Sequence, residues 1–125
     1  MAGKKTNYTV EELKKAIVEG AQEKKALNLV ALDLREVSNA TSDFYVICHG
    51  QTDRQSEAIA KSIEETVFNK LGIWPYHSEG YTNKEWILLD YFEIVAHIFV
   101  ANKREFFAIE ELWADARAEE FETIY

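Results

Sequence analysis

A single cysteine, Cys48, excludes an intrachain disulfide and a thiolate metal cluster. It sits inside an apolar run, so it reads as a buried, unreactive thiol. One proline and five glycines in 125 residues exclude a loop-rich or low-complexity chain. No run approaches the roughly 18 apolar residues of a membrane span. The amino-terminal stretch MAGKKTNYTVEELKK has neither an apolar signal segment nor the arginine-rich character of a transit peptide, and the expectation is a cytoplasmic protein. Base is scarce relative to acid, 14 against 22, for a net charge of -8. Such a surface repels phosphate backbones, so no direct nucleic-acid binding is expected. It speeds encounter with a basic partner, although acidity also serves solubility alone.

What is present fits one domain with a substantial core: 47% hydrophobic and 29% charged residues. Residues 1–8 read as a loose segment. Thr9 and Glu12 form a capping-box pair that opens a first helix, with Val10, Leu13, Ile17 and Ala21 on its apolar stripe. LVALDL (29–34) and DFYVICH (43–49) read as strands, with a polar turn between them. Both are apolar on both faces, as strands inside a covered sheet are. Thr52 and Gln55 open a second helix whose stripe is Ile59, Ile63, Val67 and Leu71, stopped by Gly72. Pro75 cannot donate to a ladder, so any strand here lies at a sheet edge or starts late, around Tyr76 to Glu79. Asn102 with Glu105 caps a third helix carrying Phe106, Ile109, Leu112 and Trp113. From Glu110 to Tyr125 there are six acids and one base, and the sequence leaves this tail between helix extension and disorder. The predicted architecture is α/β (α+β): one mixed sheet of about five strands with helices packed on it. The core spans about 9–113 and residues 114–125 form an acidic tail, all in one domain.

The longest apolar stretch, WILLDYFEIVAHIF (86–99), organises the rest. With a two-residue break at Phe92-Glu93, Tyr91 faces Ile94 and side chains alternate between two faces. One face collects Ile87, Leu89, Tyr91, Ile94, Ala96 and Ile98, and is assigned to the core. The other collects Trp86, Leu88, Asp90, Val95, His97 and Phe99, which mixes aromatic and polar groups as partner surfaces do. Exposure of Trp86, Leu88 and Phe99 is expected there, unless helices cover both sides of the sheet.

Catalytic constellations are weak. Nucleotidyl transfer needs clustered carboxylates to hold metal ions, and Asp33 is a single acid on its strand. Asp90 and His97 share a face, but no nucleophile accompanies them, so structural or interface roles stand ahead of an acid–base dyad. The three histidines follow no metal-ligand spacing. No catalytic residue, metal or cofactor is assigned. Asp53-Arg54 opens the second helix without phosphate-loop glycines and reads as a local cap rather than an anion site.

Three blocks in order carry a resemblance: LDLREVSNATSDFYVICHGQTDRQSEAIAKSIEE, EWILLDYFEIVAHIF and REFFAIEELW. Together they resemble the ribosomal silencing factor family, also called iojap-like, over roughly Leu13 to Trp113. The resemblance implies a mixed α/β domain that resembles nucleotidyltransferases but is not known to transfer nucleotides, and no enzyme is expected. It implies binding to ribosomal protein fourteen on the large subunit, a steric block to subunit joining, and self-association. The family's WxxxD block matches Trp86 and Asp90, its histidine-bearing strand matches Ile94 to Phe99 with His97, and its acidic-aromatic helix matches Arg104 to Trp113. The candidate partner-binding residues are therefore Trp86, Leu88, Asp90, His97, Phe99, Phe107 and Trp113. One departure is Phe92-Glu93 where the family usually has Gly-Asp. A phenylalanine takes the positive φ of such a turn only at a cost, so a longer turn is the competing expectation. A nucleotide-binding enzyme is the second functional reading, carried by fold analogy alone.

Overall fold

The capping box at Thr9 is formed in the computed structural model, which describes residues 7–125 apart from the side chains of Phe106 and Leu112. The expectations for residues 1–6, and for Phe106 and Leu112 as core, lie outside that description. Thr9 Oγ1 accepts the Glu12 N–H at 3.0 Å and Glu12 Oε1 accepts the Thr9 N–H at 2.8 Å. Helix α1 runs Val10–Glu23 and helix α2 Asp53–Leu71, the latter closed by Gly72 in the left-handed conformation at φ 74°. Thr52 caps α2 by accepting the Gln55 N–H, but the Gln55 side chain turns to the Gln51 N–H, so the second box is only half made. The two helices approach closely at Gly20, where a Cβ would lie 2.7 Å from the Ile63 Cα. Ser62 Oγ donates to the Gly20 carbonyl at 2.7 Å in the same contact.

Strands β1 (Leu27–Asp33), β2 (Phe44–Gly50), β3 (His77–Glu79), β4 (Trp86–Asp90), β5 (Ile94–Val100) and β6 (Arg117–Phe121) form one sheet in the order β3-β4-β5-β2-β1-β6. Only β2 and β5 pair in parallel among these neighbours. β3 is an edge strand, as Pro75 implied. Helices α1 and α2 cover one face. The predicted core set Ile87, Leu89, Tyr91, Ile94, Ala96 and Ile98 is buried against Leu13, Ile17, Ile59, Ile63 and Val67.

The β4–β5 register is the one expected: Leu88 opposite His97, Trp86 opposite Phe99, Asp90 opposite Val95. The loop stays at two residues because Phe92 itself adopts φ 75°. The Glu93 N–H donates to the Tyr91 carbonyl at 3.0 Å across Phe92, which makes a γ-turn of the rarer, positive-φ kind. Two contacts hold the strained residue. Its N–H donates to Asp90 Oδ1 at 2.8 Å, and its ring lies 4.3 Å from that of Tyr76.

Three expectations are corrected beyond this point. The third helix is not capped by Asn102: β5 runs straight into α3 (Ala101–Phe107), so the strand's last residue, Val100, takes the cap position without a side-chain bond. The helix then breaks at Ala108, at φ 48°, and restarts as α4 (Ile109–Leu112). The acidic stretch after Trp113 is neither helix nor loose tail. It folds as β6 on the outer edge of β1, with Leu29 opposite Phe121 and Asp33 opposite Arg117, bringing the sheet to six strands.

Candidate partner-binding face

The break at Ala108 lets α3 and α4 fold back over the second face of the sheet. Arg104 fixes that fold-back. Its Nε and Nη2 donate to the two carboxylate oxygens of Glu110 at 3.0 and 2.9 Å, and its Nη1 donates to the Asn28 carbonyl at 2.7 Å. The same Nη1 lies 3.0 Å from His49 Nδ1. A guanidinium only donates, so His49 Nδ1 is the acceptor and is unprotonated. Burial, aided by Arg104, accordingly lowers the His49 pKa, and the Arg104 hydrogen bonds lower that of Glu110.

The helical cover builds a second core from Val30, Leu32, Leu34, Ile47, Phe99 and Ile109. Phe99 is therefore fully buried, not exposed as expected: helices cover both faces of the sheet at this end. His97 is buried as well, at 4% exposure. The other candidates, Trp86, Leu88, Asp90, Phe107 and Trp113, are half-buried.

The rings form a continuous strip. Phe107 packs on Trp86 at 4.7 Å and Trp86 on Phe99 at 5.1 Å. Trp86 Nε1 donates to His97 Nδ1 at 3.0 Å. Tyr45 tilts over the imidazole at 4.5 Å and meets the edge of Trp113 at 5.9 Å. Burial alone pushes the His97 pKa down to about 3, so the ring is neutral near pH 7. Asp90 does not bond His97: its carboxylate accepts the Phe92 N–H at the hairpin, and the imidazole is held by Trp86 instead. The arrangement is a surface with a neutral polar group at its centre.

Two contributors escaped the sequence reading. Tyr45 joins the face because β2 lies parallel to β5, with Tyr45 opposite Val95 and Ile47 opposite His97. The alternation of Tyr45, Ile47 and His49 was a usable signal; the strand pairing was not. Arg104 stands six residues from Glu110, a spacing no unbroken helix would bring together.

The described residues contain no group of three or more His, Cys, Asp or Glu side chains placed to hold a metal ion. No helix among them is long and apolar enough to cross a membrane.

A family model described as ribosomal silencing factor during starvation matches residues 7–125. The chain belongs to the ribosomal silencing factor family. It is 35% identical over 114 residues to the ribosomal silencing factor RsfS of Halalkalibacterium halodurans, covering 91% of this chain and 96% of the relative. The Bacillus subtilis RsfS is 35% identical over 94 residues, covering 75% and 78%. The chloroplastic Iojap protein of Zea mays is 30% identical, covering 81% of this chain and 43% of that protein. Among solved structures, a Chromobacterium violaceum protein superposes with a TM-score of 0.80 at 25% identity, covering 86% and 88%. A Bacillus halodurans protein gives 0.76 at 32% identity, covering 89% and 99%. This chain thus shares its mixed α+β fold with these two solved structures over most of its length.

Proposed function

We propose that this chain is a non-enzymatic, cytoplasmic silencer of ribosomes. It binds the large subunit through ribosomal protein fourteen and sterically blocks joining of the small subunit. Family membership carries the reading. The face around Tyr45, Trp86, Leu88, Asp90 and Trp113, with His97 and Phe99 beneath it, is the contact surface. Half-buried aromatic rings packed in a strip suit the centre of an interface, where a few aromatic residues supply most of the energy. The charge of -8 favours approach to a basic ribosomal protein over grip on ribosomal RNA. Blocking a joint needs no chemistry, only a body of 14.4 kDa seated where another must sit. Nothing at the face favours nucleotidyl transfer, and Asp33 is held by Arg35 through bonds of 3.0 and 2.8 Å.

The variant Leu88→Asp tests the surface. Leu88 is half-buried on the face and belongs to neither core, so the change spares both. It should lower co-sedimentation with isolated large subunits at least ten-fold, since a central anchor is worth about 2 kcal/mol or more. Circular dichroism should stay unchanged. Undiminished binding would move the interface elsewhere. Self-association, where it occurs, uses the same face and competes with the ribosome. Concentration-dependent light scattering of wild type and Leu88→Asp checks this, and a dimer that survives the substitution would place that contact on another surface.

A further inference from the structure

We propose that His97 supplies the hydrogen-bond donor of this face: its Nε2–H, held in that tautomer by the Trp86 indole, donates to a main-chain carbonyl oxygen of the bound protein. The inference rests on the partner-face reading and deepens it. An indole N–H only donates. Trp86 Nε1 lies 3.0 Å from His97 Nδ1, so Nδ1 is the acceptor and carries no proton. A neutral imidazole then holds its proton on Nε2. That atom is buried and has no hydrogen-bond partner among the described residues. Folded chains keep few such donors, because each gives up water and gains nothing in return.

The surroundings explain why the fold offers no acceptor and where one enters. The cross-strand neighbours of His97 are Leu88 on β4 and Ile47 on β2, both without side-chain acceptors. Tyr45, Trp86 and Leu88 border the imidazole and are all half-buried rather than buried, so in this proposal the partner reaches the ring by displacing one of them. The charge selects the acceptor. With Asp90 on the same face and -8 overall, a carboxylate or phosphate is repelled and a neutral carbonyl is not.

Long-range proton–nitrogen spectroscopy of the imidazole reads the tautomer in the free chain. The proton should be on Nε2; a proton on Nδ1, or a charged ring at neutral pH, overturns the assignment. His97→Leu removes the donor, whereas His97→Gln returns an amide N–H near the Nε2 position. The leucine variant should bind large subunits about ten-fold more weakly, and the glutamine variant should stay within about three-fold of wild type. The thermal midpoint of the leucine variant should change little, because removing the unsatisfied Nε2–H offsets the loss of the acceptor for the Trp86 indole. A lowered midpoint that accounts for the lost binding would make His97 merely structural. Wild-type binding with an unimpaired leucine variant removes the His97 inference alone. A wild-type chain that stays off the large subunit removes the functional reading itself.

Discussion

His97 is a histidine that the fold keeps uncharged, and this has a thermodynamic consequence. Its ordinary value of 6.5 applies to the unfolded chain and its folded value is about 3. Between those limits the unfolded chain binds the proton and the folded chain does not, so stability is lost as pH falls below 6.5. Each pH unit in that window is worth about 1.4 kcal/mol. Urea unfolding at pH 7 and pH 5 should therefore show His97→Leu losing about 2 kcal/mol less than wild type over the same interval. Equal losses would mean that the imidazole is not buried as described. Cys48 behaves as its apolar neighbours suggested, buried with its thiol pushed up to about 12. At this scale the sequence was legible where alternation sufficed: Ile87, Leu89, Ile94 and Ile98 are all core. It misled at Phe99, because its burial depends on a helical segment that follows it in the chain and folds back. Trp86, Leu88 and Asp90 are half-buried.

Among the elements, the β4–β5 hairpin shows how a local rule can be broken and compensated. A phenylalanine at φ 75° costs about 1–3 kcal/mol of backbone strain. The Tyr76 ring at 4.3 Å returns about 0.5–1.5 kcal/mol. Phe92→Gly alone should consequently change stability by less than about 1 kcal/mol, since relieved strain offsets the lost ring contact. In a Tyr76→Ala background the same change should stabilise by about 0.5–1 kcal/mol, with the entropy of glycine limiting the gain. Chemical denaturation of the four proteins checks the cycle, and equal destabilisation by Phe92→Gly in both backgrounds would contradict it. Helices α1 and α2 were readable because caps and stripes agree along their length. The third helix was not, because Ala108 carries no sign that it will adopt the left-handed conformation. β6 was hidden for a different reason. Its Arg117-Ala118-Glu119-Glu120 run is exposed on both faces, so no hydrophobic alternation marks it.

For the whole molecule, the acidic carboxyl-terminal stretch completes the sheet: it covers the outer edge of β1 and is tied to α1 through Lys14 and Glu119 at 3.1 Å. Removing residues 117–125 should cost at least about 2 kcal/mol, from the Phe121 contact and the ladder bonds of β1. An unchanged urea midpoint would show that β6 adds nothing to the fold. Under the proposed function, the half-buried side chains of Tyr45, Trp86, Leu88 and Trp113 are the stretch that meets the partner. A standard interface buries about 1,600 Å² in total, which this stretch and its rim are asked to supply. The central claim is that occupying the large subunit there prevents joining. The direct measurement is reassociation of purified large and small subunits on a sucrose gradient, with the chain added in molar excess to the large subunits beforehand. The account predicts that the chain travels with free large subunits and that the joined peak falls, with Leu88→Asp restoring it. A full joined peak while the wild-type chain remains at the top of the gradient would contradict it.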